Sequence, residues 1–347
     1  ETAPWLDGAG TPLSEVTDDI AGVTRSGSPD IGAYEFTADP STTTPLSGTL
    51  TIGSGGDYAD FQSAADDMTL KGISGSVTLS VLSGTYIEQV TFTEVPGVSS
   101  NDTIFVESAT GNASDATLFY AATGTNDNWV VYLYGADNFY FRNLTLQSNN
   151  GVSVSYGRVI YLWGGVDGLG LADNILTGSP TTSTSANLAI FYATEMMSDS
   201  WLFLNNTFND GGTSIWLQGI NTSTLIDGLE ITGNIFNNVR YGIYLYYIND
   251  AVITDNVITV PGSRGIEVTY GDGALEIRNN RITVGSGYGI YLNACDGGIA
   301  PASGPGLVAN NTISHTGSSS RGIFLTNSTR QNIYYNSVNS RGGTNSR

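Results

Sequence analysis

The chain has 347 residues, with 44 Gly, 12 Lys or Arg and 32 Asp or Glu, for a formal net charge of −20. So acidic a surface repels nucleic acid and anionic membranes, and no apolar stretch is long enough to span a bilayer as a helix. Cys295 is the only cysteine, which excludes an intrachain disulfide. The composition suits a secreted or cell-surface, extracellular protein. Glu1 is not a natural start, so the sequence reads as part of something longer.

Residues 1–36 read differently from the rest of the chain. They contain T-D-D-I-A-G-V-T-R-S-G-S-P-D-I-G-A-Y-E-F at 17–36. A linker at 37–48, T-A-D-P-S-T-T-T-P-L-S-G, is marked by its Pro, Thr and Ser. Residues 49–68 run from a strand into a short amphipathic helix, with Phe61, Ala64, Ala65 and Met68 on one face. Such a helix covers the N-terminal end of a solenoid and protects its edge. Alternating strands come next at 77–92 around a G-T-Y-x-E turn, with further rungs at 103–148.

From about residue 159 a repeat takes over. Asn174, Asn206, Asn234, Asn256, Asn280, Asn311 and Asn336 recur at spacings of 32, 28, 22, 24, 31 and 25 residues. Each has an apolar residue two positions later, and most have another three positions earlier. An irregular repeat of this length marks a solenoid, and alternation around each Asn marks β rungs. Stacked coils place each Asn on the next, so the file is expected to be a structural ladder of mutually satisfied amides. Asn also tolerates left-handed backbone angles, which suits a bend between short strands. Leu144 stands where the other coils have Asn.

A second frame reads V-V-Y-L (130–133), V-I-Y-L (159–162), A-I-F-Y (189–192), S-I-W-L (214–217), G-I-Y-L (242–245), G-I-E-V (265–268), G-I-Y-L (289–292) and G-I-F-L (322–325). Each is expected to carry an inward pair, such as Ile243 and Leu245, around one outward residue. The predicted class is all-β: a parallel β-helix with a short N-terminal capping helix, covering 49–347 with its C-terminal end uncapped.

The closing P-D-I-G-A-Y-E-F of the first segment resembles the end of right-handed parallel β-helix domains in secreted surface proteins of the Bacteroidota type. The G-T-Y-x-E turn and the rungs resemble the pectin lyase-like superfamily over nearly the whole chain. The resemblance implies a right-handed coil and secretion through the type IX pathway. It implies no single activity, because that superfamily holds lyases, hydrolases, esterases, epimerases and non-catalytic adhesins. A closing segment that opens the chain suggests a window cut from tandem β-helix units, joined end to end with units of the same protein or with neighbouring subunits.

Three outward files are candidate sites. Tyr132, Tyr161, Phe191, Trp216, Tyr244, Tyr291 and Phe324, with Tyr134, Trp163 and Tyr246 two places on, predict a long aromatic strip. Aromatic faces stack on one another or on sugar rings. Beside it lie Arg158, Thr213, Tyr241, Arg264, Tyr288 and Arg321, a file suited to cation–π pairs or to carboxylate and sulfate groups of a glycan. Glu267 interrupts the strip. Asp137, Asp167, Asp199 and Asp227, continued by Asn249, form an acidic file. Backbone N–H groups are expected to offset its charge, with calcium bridging as the alternative; no other cofactor is implied.

The catalytic sets of the fold are not recognisable. Uronate lyases of the resembled superfamily use clustered acidic calcium ligands with an Arg or Lys base, and Arg264 or Arg278 with Glu267 is the one grouping of that kind. His315, the only histidine, reads as a solvated turn residue. The expected function is a non-catalytic structural or adhesive module, a stalk or filament segment that contacts glycans or a neighbour through the aromatic strip. The alternative is a lyase or hydrolase acting on an acidic polysaccharide.

Overall fold

The computed structural model describes residues 6–36, 44–149, 155–196, 198–295 and 304–341. Three parallel sheets wrap one apolar column. Sheet 1 has eleven strands, from Leu46–Ile52 to Gln331–Tyr334; sheet 2 has ten, from Gly84–Ile87 to Ser337–Ser340; sheet 3 has nine, from Val90–Thr93 to Arg321–Thr326. Each coil contributes one strand to each sheet, as Glu230–Thr232, Ile235–Asn237 and Tyr241–Asn249 do. This is the parallel β-solenoid that the repeat predicts.

Strand period two sends alternate side chains inward. In that coil Ile231, Phe236, Ile243 and Leu245 are fully buried. Parallel register stacks them on Ile253, Ile258, Ile266 and Val268 of the next coil. Each such side chain contributes about 1.5–3 kcal/mol by leaving water.

The Asn ladder fills the corner between sheets 1 and 2. Asn234 Oδ1 accepts from the N–H and the amide of Asn206 at 2.8 and 3.0 Å. Its own amide donates to Phe203 O at 2.8 Å and to Asn256 Oδ1 at 3.1 Å. The pattern starts where the Leu144 N–H donates to Asn174 Oδ1 at 3.0 Å and runs to Asn336. The expected left-handed angle falls elsewhere: the preceding residues, Asp173, Asn205, Gly233, Asp255, Asn279, Asn310 and Tyr335, have φ between 54° and 69°. The residue before makes the turn, so the ladder Asn can aim both its N–H and its amide along the column.

The cap helix spans Phe61–Lys71, with Phe61, Ala64, Ala65 and Met68 buried as predicted. Asp60 caps it by accepting from Ser63 N–H at 2.8 Å, and the Glu88 carboxylate accepts from the N–H groups of Phe61 and Gln62. Gly72 ends it at φ 68°. The first strand already begins at Leu46, inside the predicted linker, because Leu46–Ile52 pairs with Ile73–Val81. Most of that linker, 37–43, lies outside the described residues.

Residues 6–36 are a turn-rich segment. Asp30 accepts from the N–H groups of Gly8 and Phe36. Asp19 accepts from Ala21, Val23 and Glu35, and Arg25 pairs with Glu35 at 2.8 Å.

Candidate binding face

The outer surface of sheet 3 carries the aromatic file. Register places Tyr132, Tyr161, Tyr192, Trp216 and Tyr244 above one another on consecutive coils, then Glu267, then Tyr291 and Phe324. Ring centroids are 4.9 Å apart for Tyr132–Tyr161, 5.8 Å for Tyr161–Tyr192, 5.9 Å for Tyr192–Trp216 and 4.7 Å for Trp216–Tyr244. Below the acid, Tyr291 and Phe324 stack at 5.7 Å. The rings stack along the strip and each is half-buried. Two places on, Tyr134 and Trp163 are exposed, while Tyr246 packs edge-on to Tyr247 at 4.4 Å.

One predicted member is misplaced. Phe191 is fully buried against Trp201 and Phe203, and Tyr192 takes the outward position. The coil reads I-F-Y-A at 190–193, because Phe191 pairs with Ile160 and Ile215. The Tyr in third place, as in V-V-Y-L and V-I-Y-L, was the signal for that frame.

The second file forms as predicted: Thr213, Tyr241, Arg264, Tyr288 and Arg321 are successive partners. Arg158 lies over Tyr192 at 3.8 Å and over Tyr161 at 4.8 Å. Arg264 lies over Tyr291 at 4.4 Å, and Arg321 over Phe324 at 4.1 Å. Burial lowers the pKa of the Arg158 guanidinium.

Glu267 is 5% exposed although it sits on the outer face. Arg264 pairs with its Oε1, while Oε2 is buried with no hydrogen-bond partner. Burial pushes its carboxyl up, against the pull of Arg264. Burial, and then the Glu267 charge, push Tyr244 up to about 12. Arg278 does not join this group. It lies in sheet 1, half-exposed, and pairs with Glu276.

The acidic file runs along the turns after sheet 3. Asp137 Oδ1 accepts from Asp167 N–H at 2.8 Å, and Asp167 Oδ1 accepts from Asp199 N–H at 2.8 Å. Asp227 Oδ1 accepts from the amide of Asn249 at 3.1 Å. Backbone and amide donors from neighbouring coils thus occupy these oxygens. Among the described residues no group of three His, Cys, Asp or Glu comes together to hold a metal.

His315 is not a turn residue. It ends the strand Thr312–His315 fully buried, pairs with Val284, and neither ring nitrogen has a hydrogen-bond partner. The turn after it begins one residue later than the sequence suggested.

Fold and face together define a parallel β-helix that carries an aromatic-lined sheet. A family model described as "Periplasmic copper-binding protein (NosD)" matches residues 205–345, less than half of the chain. No curated protein matches it. Among solved structures, the pectin methylesterase from Aspergillus niger is 17% identical over 88% of this chain and 91% of its own, with a TM-score of 0.40. The pectin methylesterase from carrot is 12% identical over 87% and 85%, at 0.39. The GH136 lacto-N-biosidase from Eubacterium ramulus is 8% identical over 84% and 68%, at 0.38. Likeness at this level carries no activity across. A copper centre does not fit the described residues either: copper takes imidazole and soft sulfur ligands, the only histidine is enclosed in the core, and no metal-holding cluster surrounds it.

Proposed function

We propose that the chain is a non-catalytic β-helix module that works outside the cytoplasm, as a stalk or filament segment of a larger surface protein. Its sheet-3 face is the contact surface for a glycan chain. The observation that carries this reading is the run of five half-buried rings on consecutive coils, Tyr132 to Tyr244, edged by exposed Tyr134 and Trp163. Ring faces at rung spacing suit the apolar faces of sugars. The periplasmic description of the partly matching family supports a site of action outside the cytoplasm. End-to-end association with other β-helix units belongs to the same proposal. The exposed Leu13, Val16, Ile20, Val23, Ile31 and Tyr34 of the first segment support it.

The enzyme alternative rests on Glu267 beside Arg264. Glycoside hydrolysis needs a second carboxylate about 5–10 Å from the first. Arg264 engages the Glu267 carboxylate, and both neighbouring rungs carry a ring at its position, Tyr244 and Tyr291, which favours the binding reading.

Affinity electrophoresis through gels containing neutral and acidic polysaccharides tests the proposal. Trp216→Ala and Tyr244→Ala are each expected to weaken retardation by about three- to tenfold. Equal retardation of wild type and both variants would remove the strip from the function. Release of reducing or unsaturated ends would restore the enzyme reading.

A further inference from the structure

The three arginines of the face are not equivalent. Arg264 is held by the Glu267 carboxylate. Arg158 donates from Nε to Ala186 O at 3.0 Å and rests on two tyrosines, with no carboxylate paired to it among the described residues. Arg321 rests on Phe324 and Tyr288 and is likewise without an acidic partner there. On a chain of net charge −20 these are local cations inside a strip of rings. They lie six rungs apart in sheet 3, about 29 Å at ~4.8 Å per rung.

Glu267 breaks the pattern of its own file. Every rung from Tyr132 to Tyr244 and both rungs below carry a ring at this position. A carboxylate there is costly to bury, and its Oε2 is left without a partner. To a guanidinium it is also what a bound uronate would present.

We propose that Glu267 is an internal counter-ion that sets the charge selectivity of this face: it occupies Arg264 as a ligand carboxylate would and leaves acidic groups of a linear polysaccharide to Arg158 and Arg321. The inference rests on the glycan-contact reading of sheet 3. It divides the strip into an upper neutral run, Tyr161 to Tyr244, bounded by Arg158, and a lower run, Tyr291 and Phe324, bounded by Arg321. With Arg264 internally neutralised, the middle of the face accepts uncharged sugar rings.

The test compares polygalacturonate with its fully methyl-esterified form, which keeps the backbone and removes the charge. Glu267→Gln releases Arg264 and is expected to raise affinity for polygalacturonate by roughly threefold to tenfold, with a steeper loss as salt is added. Affinity for the ester should not change. Arg158→Gln and Arg321→Gln are each expected to lower affinity for the acid form alone. Glu267→Met, which removes the charge and adds no ring to that rung, repeats the test should the Gln variant misfold. If wild type binds neither polymer, the contact-surface reading fails with the inference. If it binds the ester, and the two Glu267 variants shift both polymers equally or neither, the inference alone is overturned.

Discussion

Residues 6–36 and the coils of the solenoid solve one problem in opposite ways. In the first segment the buried residues are Asp19, Pro29 and Asp30, while Leu13, Ile20, Ile31 and Tyr34 are more than half exposed. In the coils the buried side chains are mostly apolar, and the polar ones sealed among them include the ladder asparagines from Asn174 to Asn311. Ionised carboxylates only accept hydrogen bonds, so Asp19 and Asp30 gather the N–H groups of a short loop and the pattern stops there. An amide both accepts and donates, so each Asn passes the pattern to the next coil. The Asp137–Asp167–Asp199 file makes the same point within the solenoid, because its side chains connect coils only through backbone N–H groups.

The largest expected effect is on the ladder. Asn234→Ala strips the acceptor from Asn206 and a donor from Phe203 O; we expect a loss of about 3–4 kcal/mol in urea unfolding. A loss under about 1 kcal/mol would mean that the amide file does not hold the column. Phe208→Ala, which empties a site stacked on Phe236 at 4.9 Å, should cost about 3 kcal/mol.

Acid should separate the two regions. Backbone donors, Glu35 N–H foremost, hold Asp19 below its usual 3.8, and Phe36 N–H foremost does the same for Asp30. A depressed carboxylate lends stability that is fully present above 3.8 and is lost as pH falls through the folded value. Hydrogen exchange in strong acid should therefore find the amides of Ala21, Val23, Glu35 and Phe36 unprotected and those of Asn206 and Asn256 still protected. The reverse order would break the comparison.

Smaller effects sharpen it. Val260 and Val284 fill the inward frame that His315 occupies one coil further on. Replacing the unpartnered imidazole, His315→Val, should stabilise by about 1 kcal/mol in thermal unfolding. Ile20→Ser, at 70% exposure, should change the stability of the isolated chain by less than about 0.5 kcal/mol. A larger loss would mean that this apolar face is already covered.

The periodicity of the chain determined the solenoid, the ladder and the cap helix. Each depends on side-chain alternation or on one residue type repeated in frame, and both are local properties. It also determined that sheet 3 carries rings and arginines. Tertiary structure decided three things. Hydrogen bonding between coils set the frame at 190–193, so Tyr192 faces out and Phe191 in; three consecutive apolar side chains left that one-residue choice open. The same bonding enclosed His315, whose burial depends on strands a whole coil away. Parallel pairing set Glu267 between Tyr244 and Tyr291 with Arg264 folded over it, while Arg278, fourteen positions from Arg264, turned onto a different sheet. Distance along the chain says little about neighbours in a column whose contacts skip from coil to coil.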